Sequence, residues 1–154
     1  MAAGPAGQDG CLSMPMADPG ILRRVVKMRS YLPILAVSLG GILGANARYV
    51  VSVYVAERLG MAFPYGTFLI NVSGSLVIGF FLTLATERFT IDPVWRLFFA
   101  TGFLGAYTTF STYTFEAAQL IRDGALGVAL LYLFGSVLAG MLGVFAGIVA
   151  AERL

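Results

Sequence analysis

From residue 31 onward the chain is a succession of apolar runs, each long enough to cross a bilayer and nearly free of charge. A helix that spans hydrocarbon needs about 20 mostly apolar residues. Residues 31–56 carry a single charge, Arg48, and residues 61–86 carry none. Residues 97–115 are uncharged but bracketed by Arg96 and Glu116, and residues 124–151 are again uncharged. The charges gather in short connectors: Glu57-Arg58, residues 87–92, and Arg122-Asp123. Lipid offers backbone N–H and C=O groups no partner, so runs of this kind fold as helices. The pattern predicts an all-α integral membrane protein of four transmembrane helices, at about 31–56, 63–86, 94–121 and 125–151, with both termini on one side.

Composition narrows what such a bundle can do. The chain is 58% hydrophobic and 12% charged, against about 25% charged residues in soluble domains. It has no histidine, and Cys11 is its one cysteine. A disulfide framework, a Cys/His zinc site and imidazole catalysis are therefore excluded within one chain. No Gly-rich phosphate loop ending in Gly-Lys-Ser/Thr occurs, so no nucleotide-driven pump is indicated. Without paired carboxylates in the bilayer, no enzyme constellation forms either, and the chain reads as a non-enzyme. The net charge of +2 is too small to point to nucleic acid.

Residues 1–30 read differently. The first twenty are rich in Gly, Pro and Ala, and residues 21–29 form a short basic stretch that lacks the layout of a secretory signal. The expectation is a disordered or mis-annotated tail, with translation starting at either Met1 or Met28.

Charge bias between loops sets orientation. Counted from Met28, one side holds Arg29, Arg88, Arg96 and Arg153, and the other Arg48, Arg58 and Arg122. A difference of one suits a protein inserted both ways, and equally a weakly biased single topology. Small residues recur at spacing four: Gly40 and Gly44, Gly41 and Ala45, Ser75 and Gly79, then Ala139, Gly143 and Gly147. Such faces let helices approach closely in lipid.

The third run contains Gly102-Phe103-Leu104-Gly105-Ala106-Tyr107-Thr108-Thr109-Phe110-Ser111-Thr112-Tyr113. Glycine weakens a helix by about 1 kcal/mol relative to alanine, and β-branched threonines do not restore it. The segment is read as a helix broken at mid-membrane near 102–109, its carbonyls needing a cation, water or partner chain. The other reading keeps it helical, with hydroxyls bonding back one turn. Thr67, Asn71 and Ser75 share one face of the second helix, as Tyr132 and Ser136 do on the fourth, with Gly140 beyond. They would form a track of donors without formal charge, suited to an ion held weakly enough to leave. Phe110 and Tyr113 fall on one face, as packing or as ring edges toward an anion. Arg48 attracts anions into a vestibule or snorkels to the interface.

Three motifs on successive helices then become specific. Residues 40–49 (Gly-Gly-Ile-Leu-Gly-Ala-Asn-Ala-Arg-Tyr), residues 66–74 (Gly-Thr-Phe-Leu-Ile-Asn-Val-Ser-Gly) and residues 102–113 closely resemble the Fluc/CrcB family of fluoride channels, in order, over about 31–154. The resemblance implies an antiparallel, dual-topology homodimer with two fluoride pores, in a prokaryotic cell membrane. It places Asn71, Phe110, Tyr113, Thr112, Tyr132 and Ser136 along the pore and Arg48 in the vestibule. It also implies a structural sodium ion at the dimer centre, held by backbone carbonyls of Gly105 and Thr108. The partners implied are a second copy of the chain, fluoride and the lipid bilayer. Many members carry Phe where Tyr113 stands, and a hydroxyl where Gly140 stands. The implied task is passive export: hydrogen fluoride enters neutral, dissociates in a near-neutral cytoplasm, and the anion leaves down the membrane potential. The nearest rival is a four-helix proton-coupled exporter of the small multidrug-resistance type. Those depend on a carboxylate in the first helix, where this chain has Arg48. A purely structural assembly factor would leave the Gly/Thr segment unexplained.

Overall fold

Each apolar run becomes helix, and the residues at its ends show why it starts and stops there. The computed structural model describes residues 31–89 and 91–154; the N-terminal tail and both candidate start positions lie outside the described residues. The first helix, α1, spans Leu32–Leu59, with Pro33 in its first turn, where the missing N–H would have had no intrahelical partner. It stops at Gly60, whose φ of 76° is a backbone conformation favouring glycine.

Helix α2 spans Tyr65–Thr83 and widens into a π-helical turn, Leu84–Arg88. Thr83 Oγ1 donates to the Gly79 carbonyl and Thr86 Oγ1 to that of Leu82, each at 2.8 Å. Such back-bonding competes with the regular ladder where the turn loosens. Asp92 then caps the next helix, its Oδ1 accepting from the Val94 N–H at 2.8 Å. That helix, α3, begins as Pro93–Arg96, runs through a π-helical stretch Leu97–Leu104, and closes with the turn Gly105–Tyr107. After an interruption, α4 spans Ser111–Arg122 and α5 spans Leu126–Glu152. The α4–α5 corner is a Schellman turn: Gly124 (φ 78°) donates to the Ile121 carbonyl and Ala125 to that of Leu120.

No strand occurs among the described residues. Three helices, Leu32–Leu59, Tyr65–Glu87 and Leu126–Glu152, are long and apolar enough to cross a membrane. The remaining apolar segment is divided between α3 and α4. Leu39, Ile42 and Leu43 on α1, and Leu131, Phe134 and Leu138 on α5, lie exposed, as side chains solvated by lipid do. The chain is a multi-pass helical membrane protein.

Two close interfaces organise the bundle. Helix α1 packs chiefly on α3, and α2 on α5. Gly40 and Gly44 present bare α-carbons to the backbone carbonyls of Phe98 and Phe103. Gly102 answers from α3: a Cβ there would lie 2.7 Å from the Val37 carbonyl oxygen. On the other side Gly79 faces the Val144 backbone, and Gly143 and Gly147 face the backbone of α2. Backbones meet where the small residues fall, which is how helices associate where lipid removes the hydrophobic drive. A Cβ at Gly41 would have no described residue within 4 Å.

The interruption is narrower than the sequence suggests. Gly102 and Gly105 are both helical, and the chain leaves the helix only at Thr108–Phe110, where Thr108 has φ −79° and ψ 160°. Gly102 serves the contact with α1, so its helix-weakening character is outweighed by packing. Along α3 the aromatic residues spaced by four line up. Phe99 stacks on Phe103 at 5.5 Å and Phe103 on Tyr107 at 6.0 Å, with Phe81 of α2 at 4.6 Å from Phe99.

Candidate functional site

The interruption is held open from outside by one side chain. Asn71 on α2 donates from Nδ2 to the Thr109 carbonyl at 3.0 Å and accepts the Thr109 N–H on Oδ1 at 2.9 Å. One amide thus satisfies both backbone groups of a residue that has left the helix. The Thr112 N–H is diverted in the same way, to Thr109 Oγ1 at 3.3 Å. In an unbroken helix those two N–H groups would close on the carbonyls of Gly105 and Thr108, four residues back. Thr108 keeps its own local bonds, with N–H and Oγ1 both donating to the Leu104 carbonyl at 3.0 and 2.9 Å. Gly74, one turn along α2 from Asn71, has no side chain, and a Cβ there would collide with the Thr108 methyl.

Beyond the break, hydroxyls cluster at the start of α4. Thr109 Oγ1 donates to Thr112 Oγ1 at 3.1 Å, with Ser111 Oγ at 3.4 Å from Thr109 Oγ1. Phe110 is 77% exposed within the chain, whereas Tyr113 is buried. Their ring centroids lie 5.9 Å apart. The Tyr113 hydroxyl donates to the Leu133 carbonyl at 2.6 Å, and its ring meets Tyr132 edge-on at 5.0 Å. The Tyr113 hydroxyl is therefore spent on the α5 backbone.

Tyr132 is wholly buried and donates to Glu116 Oε2 at 2.7 Å, while Thr67 Oγ1 donates to Glu116 Oε1 at 2.9 Å. One carboxylate thereby ties α4 to α2 and α5. Ser136, one turn beyond Tyr132, has a buried Oγ with no hydrogen-bond partner among the described residues. Gly140 follows, and a Cβ there would lie 3.4 Å from Ser75 Oγ, so α2 supplies a hydroxyl beside the position where α5 has none. Arg48 lines a cavity of about 290 Å³ with Thr67, Thr109 and Thr112. Gly105, Thr108, Asn71 and Phe110 line another, of about 410 Å³.

Against families of known sequence, residues 35–148 match the model described as "CrcB-like protein, Camphor Resistance (CrcB)". The chain belongs to the CrcB-like family. Its curated CrcB-like relatives include proteins named fluoride-specific ion channel FluC. That of Acidobacterium capsulatum is 49% identical over 120 residues, covering 78% of this chain and 96% of the relative. The protein of Koribacter versatilis is 48% identical over 120 residues, covering 78% and 92%. The protein of Trichormus variabilis is 49% identical over 116 residues, covering 75% and 85%. These relatives are named as ion channels, a class that is not enzymatic, and no catalytic activity is indicated for the CrcB-like chain.

Most of the positions singled out in the CrcB-like sequence fall into two groups. Asn71, Gly105, Thr108, Phe110 and Thr112 gather at the break, Tyr113 and Tyr132 meet at the α4–α5 contact with Ser136 buried one turn further along α5, and Arg48 stands in the neighbouring cavity. Glu116 is the residue the sequence reading undervalued. Read in the sequence only as the bracket of an apolar run, it sits in the middle of α4 and holds two buried hydroxyls. Its spacing from Tyr113 and Leu120 on one helical face was the available signal.

Proposed function

We propose that this chain is a fluoride-selective channel that lets fluoride leave the cytoplasm passively. The observation that carries the reading is the bracketed break: an unwound, hydroxyl-rich segment at Thr108–Phe110, held by Asn71, in a chain about half identical to proteins named fluoride-specific ion channels. Irregular backbone at membrane depth is tolerated where it lines a cavity or is buried in protein. In this reading α3 and α4 together make the third of four spans. The working unit is a dual-topology antiparallel homodimer with two pores, since the Thr109–Ser111–Thr112 hydroxyl cluster needs polar cover that lipid does not give. Asn71 (through its second Nδ2–H), Phe110, Thr112, Tyr113, Tyr132 and Ser136 line the pore, and Arg48 draws anions toward it.

A central sodium fits the donor set. Gly105 and Thr108 are the residues whose carbonyls lose their helical N–H partners to Asn71 Oδ1 and Thr109 Oγ1, and unwound carbonyls suit a hard monovalent cation. The ion would tie the break together across the dimer. The multidrug-exporter reading is the weaker one, because the intramembrane carboxylate lies on α4 and not on α1.

The test is fluoride efflux from liposomes holding the purified protein, followed with a fluoride electrode under a potassium–valinomycin shunt. Rapid fluoride release with negligible chloride release, lost on substitution of Asn71 or Phe110, is the expected result. Absence of release from folded dimers would sink the reading.

A further inference from the structure

Three cavities run in series along the chain, and their shared walls pick out a residue on α1 that no motif marks. The first, at the break, is lined by Asn71, Thr109 and Phe110. The second holds Arg48 and Thr112 and shares Thr109 with the first. The third, of about 380 Å³, opens beside Met61–Pro64 and is bordered by Glu116 and Asp123. It shares Ser52 and Thr67 with the second. On α1 the lining positions Arg48, Ser52 and Ala56 recur every four residues, and on α4 so do Thr112 and Glu116. That periodicity is one face of each helix, so the second and third cavities form a groove between α1 and α4, floored by α2, and the first, between α2 and α3, joins it at Thr109.

We infer that Ser52 and Thr67 form the neck of a water-filled anion route running along this groove from the break to the Met61–Pro64 end, with the Ser52 hydroxyl as the donor that meets the passing ion. This rests on the channel reading and extends it to α1. Two features single out Ser52. The Thr67 hydroxyl is already committed, donating to Glu116 Oε1 at 2.9 Å, whereas the Ser52 hydroxyl makes no hydrogen bond to any described residue. A serine hydroxyl turned to a groove can give its proton to an anion without breaking another bond. Its place is also fixed: a Cβ on Gly66 would lie 3.4 Å from the Ser52 α-carbon, so α1 and α2 meet closely at this level.

The electrostatics make the neck the decisive point. Arg48 stands on its break side, and Glu116 and Asp123 on its outer side. An anion stabilised beside the guanidinium must pass toward carboxylates, so its potential energy rises across the neck. A donor placed there lowers the barrier where it is highest.

The test uses the full chain in a Cys11→Ser background, reconstituted in liposomes. Ser52→Cys is treated with sulfonatoethyl methanethiosulfonate, a membrane-impermeant anionic reagent, and read both by mass and by fluoride efflux. Leu39→Cys, on the exposed apolar face of α1, is the control. The expected result is a mass shift on Ser52→Cys but not on Leu39→Cys, with fluoride efflux blocked after labelling. Ser52→Ala, which cannot be labelled, should conduct about tenfold more slowly, the effect of one lost hydrogen bond to an ion at a barrier. No mass shift at Ser52→Cys, or labelling and Ser52→Ala both without effect on efflux, overturns the neck while wild type still conducts. A wild type that releases no fluoride overturns the channel reading itself, and labelling by mass then reports separately on whether the groove is wet.

Discussion

Gly74→Ala is the substitution whose consequence the structure determines most closely. A methyl at this position would overlap the Thr108 Cγ2 methyl, with Tyr107 Cδ1 in ordinary contact at 3.5 Å. Thr108 can escape by rotating about χ1, but its Oγ1 then leaves the Leu104 carbonyl, a bond of 2.9 Å. A bond of that kind is worth about 0.5–1.5 kcal/mol. The alternative is to push the break away from α2, against the two bonds Asn71 makes to Thr109. Overpacking of this sort costs about 1–3 kcal/mol, so Gly74→Ala should destabilise by about 1–3 kcal/mol and slow fluoride efflux. Thr108→Ser supplies the cure, because serine keeps the hydroxyl on Leu104 and removes the methyl. The double variant should return close to the stability of Thr108→Ser alone, with a coupling energy of about 1–2 kcal/mol in equilibrium unfolding from detergent. Strictly additive losses in that cycle would refute the reasoning, since the Gly74 requirement would then lie elsewhere than at the Thr108 methyl.

Three further outcomes follow from the same contacts. Asn71→Ala strips both partners from Thr109; hydrogen bonds between membrane helices average about 0.6 kcal/mol and reach about 1.7, so a loss of about 1–2 kcal/mol is expected. Amide exchange at Thr109 should speed up, and Asn71→Asp should not restore it, because a carboxylate oxygen would then face the Thr109 carbonyl. Tyr113→Phe should cost about 1 kcal/mol through the lost bond to Leu133 and let fluoride pass at an altered rate; a variant indistinguishable from wild type in both assays would remove the idea. Glu116→Ala strands the hydroxyls of Thr67 and Tyr132 and should cost about 2–3 kcal/mol. Melting in detergent should rank it below Glu116→Gln, which keeps a carbonyl acceptor; equal melting points would contradict that role.

Much of this arrangement was readable from residue types because lipid leaves few options. Uncharged runs of sufficient length must be helical, and α1, α2 and α5 follow their runs within a few residues. Asn71 announced itself, since an amide in hydrocarbon needs partners. Its partner could not be read, because whether it met Thr109 or another helix depends on how α2 and α4 dock. Glycine was the ambiguous letter: Gly102 signals a weak helix and a close contact equally well, and only the position of Gly40 decides for contact. Glu116 was obscured by treating a charge as the boundary of a run, whereas two hydroxyl donors on other helices make it tolerable inside the bundle. Ser52 carried no signal, since a lone serine on an apolar helix gains meaning only from the cavities on either side.

The hydrogen bonds of α4 also impose an order on synthesis. This half-helix carries Glu116, Gln119 and Arg122 and is too short and polar to settle in hydrocarbon alone. One of its anchors, Thr67, is made before it, as is Asn71, which holds the adjoining Thr109, and the other two, Tyr132 and the Leu133 carbonyl, come after. A nascent chain that stops short of α5 holds one oxygen of Glu116 against Thr67 and the other against nothing, with the Tyr113 hydroxyl also unmatched. The third apolar segment should therefore reach its final packing only once the last helix has emerged. Truncation or delay at the C-terminus should thus expose the middle of the protein to quality control, far from the residues that were lost.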